Sequence, residues 1–112
     1  MMNWNDLLTA RQLDDIISLS HHRPQVIFKH STRCSISNTA WNRLKNAQNL
    51  EGADLYYLDL LAYRPISTQI AETLDVHHES PQVLVIKNGK CVYDESHLGI
   101  TPVELQEQIK GN

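Results

Sequence analysis

Cys34 and Cys91 are the only thiols in the 112-residue chain, and the first stands in Ser31-Thr32-Arg33-Cys34-Ser35-Ile36-Ser37. A dithiol C-x-x-C motif would place its second sulfur at position 37, which here is serine. A mixed disulfide formed on Cys34 therefore has no neighbouring thiol to release it and must wait for an external one. The chemistry is that of a single thiol. In the competing reading Cys34 merely fills space, since unpaired cysteines are among the most buried side chains. A core cysteine usually lies inside an apolar block, whereas this one is bracketed by Ser31, Thr32, Arg33, Ser35 and Ser37. Ser37 has two open roles, donating a hydrogen bond to the thiolate or helping to start a helix.

Such a sulfur needs elements that hold it where the thiolate is favoured. Gln25 to His30 contains Val26, Ile27 and Phe28 as a compact apolar block, the pattern of a strand buried on both faces. Beyond it, Ile36, Ala40, Leu44 and Ala47 recur at helical spacing, which predicts a helix from about Ser35 to Gln48. Cys34 thus falls at a strand-to-helix junction, near unpaired N–H groups at the positive end of a helix dipole. The thiolate, which is the nucleophile, is favoured at such a place. Arg33 adds positive potential if its side chain turns toward the sulfur.

The remaining elements follow from the same patterns. Thr9 and Gln12 fit a capping box that opens a helix at about Ala10 and runs to about Ser20, with Leu13, Ile16 and Ile17 on one face. Leu55 to Leu60 reads as a strand, and Pro65 opens a third helix with Ile66, Ile70 and Leu74 on one face, ending near Asp75. Val83 to Ile86 is a further strand. Asn88-Gly89 signals a type I′ hairpin turn, and Cys91 to Glu95 returns. Thr101, Pro102 and Glu104 begin a last helix carrying Leu105 and Ile109. Residues 1 to 8 and the last two or three are the candidates for loose ends.

This order predicts a single α/β domain spanning residues 1–112, with a central mixed four-stranded sheet and helices on both faces. It matches the thioredoxin-like fold. In that order a proline placed as Pro81 is, just before a strand, is expected to be cis and to face the nucleophile; the plainer alternative is an ordinary strand-start proline.

Composition excludes several other functions. The formal charge is -3, from 13 acidic and 10 basic residues, so no large positive field exists to hold a nucleic acid or an anionic bilayer. No apolar run approaches the roughly 20 residues needed to span a bilayer, and Met1-Met2-Asn3-Trp4 lacks the basic start of a secretory leader. The expected location is the cytosol. Two cysteines are too few for a disulfide scaffold or a thiolate-rich zinc site, and a chain of this length needs neither to fold.

Three stretches together resemble the YtxJ-type monothiol bacilliredoxins, also described as bacillithiol system redox-active proteins. They are Phe28-Lys29-His30-Ser31-Thr32-Arg33-Cys34-Ser35-Ile36-Ser37, His78-Glu79-Ser80-Pro81-Gln82-Val83, and Ser96-His97 followed by Gly99-Ile100-Thr101. The likeness covers nearly the whole chain. It implies a thioredoxin-like fold and removal of bacillithiol, a low-molecular-weight thiol, from mixed disulfides on oxidised cytosolic client proteins, with bacillithiol as co-substrate and no bound cofactor. It makes Cys34 the catalytic residue and assigns Thr32, Arg33, Ser35, Ser37, Ser80 and Pro81 to the substrate-binding surround, with backbone near Pro81 pairing to an extended substrate segment. Ser35 departs from related motifs, which often carry proline there, and bears on the helix start.

Other residues have simpler roles available. Cys91 reads as structural, with a distant resolving thiol as the alternative. Six histidines invite a metal, but the adjacent pairs His21-His22 and His77-His78 point opposite ways in extended chain, so neither is a ready chelate. His30 either tunes the charge near Cys34 or is a hydrogen-bonded structural residue, and His97 reads as stabilising its turn. Trp41 and the tyrosines read as packing residues rather than a stacking platform for RNA. Two other function classes stay open: a glutaredoxin-like carrier in which two chains share an iron–sulfur cluster, and a non-catalytic interaction module.

Overall fold

Every residue of the strand Gln25–His30 is buried, which places it at the centre of a sheet with both faces covered. The computed structural model describes residues 4–47 and 50–111. In chain order the elements are β1 (Trp4–Asp6), α1 (Ala10–Leu19), β2 (Gln25–His30), α2 (Ser35–Lys45), β3 (Asp54–Asp59), α3 (Arg64–Leu74), β4 (Gln82–Lys87), β5 (Lys90–Ser96), a single 3-10 turn (His97–Gly99) and α4 (Pro102–Lys110). The sheet order is β1-β3-β2-β4-β5. β1, β3 and β2 run parallel, while β4 pairs antiparallel with β2 and with β5.

The sheet separates two cores because successive side chains of each strand point to opposite faces. Val26, Phe28, Val83 and Val85 meet Ala40, Leu44, Leu105 and Ile109 of α2 and α4. Ile27, Leu84 and Ile86 meet Leu13 and Ile16 of α1 and Ile66 and Ile70 of α3 on the other face.

The local signals produce the expected ends. Thr9 and Gln12 close the capping box on α1, Thr101 caps α4 by accepting the Glu104 N–H, and Asn88 and Gly89 both take positive φ in the hairpin turn.

Three expectations are corrected. The sheet has five strands rather than four, because residues 4–6, expected within a loose end, form β1. Trp4 packs edge-on against Trp41 at 5.3 Å between ring centroids, Asn5 Nδ2 donates to the Leu55 carbonyl at 3.1 Å, and the Leu7 N–H donates to that of Tyr57 at 2.8 Å. Helix α2 stops at Lys45 rather than near Gln48. Asn46 caps it, its N–H donating to the Asn42 carbonyl at 3.3 Å and the next N–H, of Ala47, to that of Leu44 at 3.2 Å; Gln48 lies outside the described residues. At the other end, Lys110 belongs to α4 and not to a loose tail.

Candidate active site

Strand β2 ends at His30, and the chain turns tightly through Ser31-Thr32-Arg33, with the Cys34 N–H donating to the Ser31 carbonyl at 3.1 Å. Cys34 is the N-cap of α2, with φ −108° and ψ 122°, and no side chain caps the first-turn amides. Its carbonyl accepts the Asn38 N–H at 3.0 Å. The thiol is partly exposed, and Thr32, Arg33 and Ser35 around it are exposed. A half-open sulfur thus stands beside helix N–H groups that lack intrahelical partners, at the positive end of the α2 dipole.

Ser37 is placed differently from its assignment to the substrate-binding surround. Its side chain is fully buried. Its hydroxyl lies 2.6 Å from Nδ1 of His30 and accepts the Ser31 N–H at 2.9 Å. A group already committed to two partners beneath the loop offers no surface to a substrate. His30, 3 % exposed, is the hydrogen-bonded structural histidine of the two alternatives. Burial lowers its pKa, against the opposing charge of Asp59. Its ring stacks on Phe28 at 5.7 Å and lies 5.5 Å from that of Tyr57. Trp41, stacked on Phe28 at 5.6 Å, completes an aromatic floor under the turn.

The antiparallel register Lys29↔Gln82 brings Ser80 and Pro81 to the sheet end from which the Cys34 turn departs. The Ser80–Pro81 peptide bond is cis. Pro81 is buried, and its carbonyl accepts the His97 N–H at 3.0 Å, so the shared Ser96-His97 pair holds the segment before β4. The Ser80 hydroxyl is buried without a hydrogen-bond partner.

Cys91 is remote. It pairs with Ile86, which also pairs with Gln25 at the start of β2, whereas Cys34 lies beyond the end of β2. Five strand steps separate Gln25 from His30, roughly 17 Å, far beyond the Cα separation of about 7 Å that a disulfide tolerates. Burial pushes the Cys91 thiol up to about 11, and its Sγ donates to the Tyr93 carbonyl at 3.3 Å.

Local pattern does not single out Lys29 and His78, although a lysine inside an apolar strand is a signal the sequence carries. Lys29 is fully buried, and its Nζ lies 3.0 Å from Nδ1 of His78. Burial lowers the lysine to about 8, against the partly compensating charge of Asp94. Among the described residues no group of three His, Cys, Asp or Glu side chains converges in a metal-binding arrangement. No helix among them is long and apolar enough to cross a membrane.

A sheet of this order with one cysteine capping the helix after its central strand defines a single-thiol redox protein of thioredoxin-like fold. Solved structures agree on the fold. A protein with a thioredoxin fold, to which an oxidoreductase role has been ascribed, is 27% identical, covering 96% of this chain and 93% of its own with a TM-score of 0.77. Thioredoxin from Fasciola hepatica is 21% identical over 94% of this chain and 95% of its own, with a TM-score of 0.68. Thioredoxin from Trypanosoma brucei brucei is 16% identical over 96% and 88%, with a TM-score of 0.72. The family model described as monothiol bacilliredoxin BrxC matches residues 5–105. The chain belongs to the monothiol bacilliredoxin family.

Proposed function

We propose that this protein removes bacillithiol from mixed disulfides on oxidised cytosolic proteins, with Cys34 as the nucleophile and bacillithiol as co-substrate. The observation that carries this reading is a partly exposed cysteine at the cap of α2 with serine in place of a resolving thiol and Cys91 out of reach. In the first step the Cys34 thiolate attacks the bacillithiol sulfur of the client disulfide. A new S–S bond forms between Cys34 and bacillithiol, the original S–S bond breaks, and the client leaves as a thiolate that takes a proton from water. A second low-molecular-weight thiolate then attacks the bacillithiol sulfur on Cys34, leaving as the small-molecule disulfide and restoring the enzyme. The sum of the two exchanges consumes one incoming small thiol and moves one disulfide bond from the client to the small-thiol pair.

Thr32, Arg33 and Ser35 supply the exposed rim for the client, and the unpartnered Ser80 hydroxyl with the backbone beside Pro81 receives its extended segment. Uncapped α2 amides stabilise negative charge on the sulfur as it attacks and leaves. A peptide carrying a bacillithiol mixed disulfide is expected to lose it to the wild-type protein and not to Cys34→Ser. Equal rates would remove Cys34 from the reaction.

A further inference from the structure

Lys29 sits on β2 between Leu58 of β3 and Gln82 of β4, fully buried. Lysines are almost never fully buried without a counter-charge. Among the described residues no carboxylate forms an ion pair with it, and its Nζ donates instead to Nδ1 of His78. An ammonium at Nδ1 leaves the proton of a neutral imidazole on Nε2. Burial, with the charges of Lys29, His77 and Arg64, favours that neutral ring over the opposing pull of Glu79.

His78 lines a hollow of about 300 Å³ with Leu60, Arg64, Ser67 and Glu72. Its charges are segregated. Arg64 opens α3, where first-turn N–H groups add positive potential. Glu72 lies two helical turns further on, roughly 12 Å along the axis. The positive end is also the end nearest the thiol. The Leu60 N–H donates to the His30 carbonyl at 3.0 Å, and His30 precedes Cys34 by four residues, at most about 14 Å of chain. His78 precedes Pro81 by three residues, at most about 11 Å. A thiol of tripeptide size spans such distances.

We propose that the positive end of this hollow receives a carboxylate of the small thiol in the disulfide that Cys34 attacks. Arg64 and the Nε2–H of His78 are the donors, and Lys29 is the buried counter-charge that positions His78. The inference rests on the exchange reading above and specifies the chemistry of its substrate. An acidic side chain of the client is the rival source of the same carboxylate.

One neutral peptide carrying bacillithiol, glutathione or 2-mercaptoethanol in mixed disulfide, and an acidic peptide carrying 2-mercaptoethanol, separate the sources. The first two thiols bear carboxylates and the third does not. Arg64→Ala is expected to raise KM about tenfold for the acid-bearing thiols, the scale of one charge-assisted hydrogen bond, with kcat and both 2-mercaptoethanol substrates unchanged. Equal effects on all substrates, or none, would overturn the proposal, as would an effect confined to the acidic peptide. Binding of S-methylglutathione to Cys34→Ser reads the hollow without turnover. It should weaken about tenfold with Arg64→Ala or His78→Phe, and unchanged binding counts against the site even if exchange through Cys34 is established. Turnover surviving in Cys34→Ser defeats the exchange reading instead.

Discussion

The Ser37 hydroxyl bridges Nδ1 of His30 and the N–H of Ser31, at 2.6 and 2.9 Å, and so closes the loop that carries Cys34 from beneath. The residue at the position of a second cysteine thus fixes the turn rather than facing the substrate. Ser37→Ala leaves the Ser31 N–H and the His30 ring without their partner in a buried place, and should cost about 1–3 kcal/mol. Urea denaturation measures this. A loss below about 0.5 kcal/mol would mean that the bridge contributes little beyond an ordinary surface substitution.

The two thiols should differ sharply in reactivity. At pH 7 a thiol held near 11 is ionised in only about one molecule in ten thousand, and Cys91 is half-buried besides. Iodoacetamide at neutral pH, followed by peptide mapping, is expected to modify Cys34 at least about tenfold faster. Mild oxidation without small thiols should give no internal Cys34–Cys91 disulfide by intact mass, and Cys91→Ala should keep full turnover.

Lys29 gives stability a pH signature. Its folded value of about 8 lies below the ordinary 10.5, so between these values the unfolded chain binds more protons, and this residue's contribution to stability rises with pH. Below pH 8 the full cost of a buried charge is present. Cys91, with its raised pKa, acts oppositely above about pH 9, so the informative quantity is the difference between wild type and Lys29→Met. That difference should shift in favour of wild type from pH 8 to 10.5 in urea titrations. A flat difference would show that the amine titrates in the folded protein as it does in the unfolded chain, and that burial leaves its pKa unshifted.

Trp41 joins β1 to the floor of the active turn, with ring centroids 4.7 Å from Tyr57 and 5.3 Å from Trp4. Trp41→Ala should destabilise by about 3 kcal/mol, while Trp41→Phe should retain most of the packing. A loss under about 1 kcal/mol for the alanine variant would place the weight of this floor on Phe28 and Tyr57 alone.

Much of this architecture is legible locally. The Thr9–Gln12 box, the Asn88-Gly89 turn and the unbroken apolar run of β2 are short-range devices, and each forms where its residues stand. The strand Trp4–Asp6 is not legible in that way. Three residues show no usable alternation, and their pairing depends on Trp41, Phe28 and Tyr57, which are distant in sequence. The site divides similarly. Cys34 at a strand-to-helix junction follows from local pattern, but the fate of Ser37 depends on which face His30 takes. The Lys29–His78 contact depends on the approach of α3 and the segment before Pro81 to the sheet.

The separation of Cys34 from Cys91 also limits what the oxidised molecule can be. A chain unable to close a ring between its own sulfurs has no self-contained disulfide couple, so every disulfide it forms includes a second molecule. Under the proposed exchange, its occupancy would follow that molecule's concentration as well as the surrounding potential, a dependence on the size of the thiol pool that a closed dithiol couple lacks.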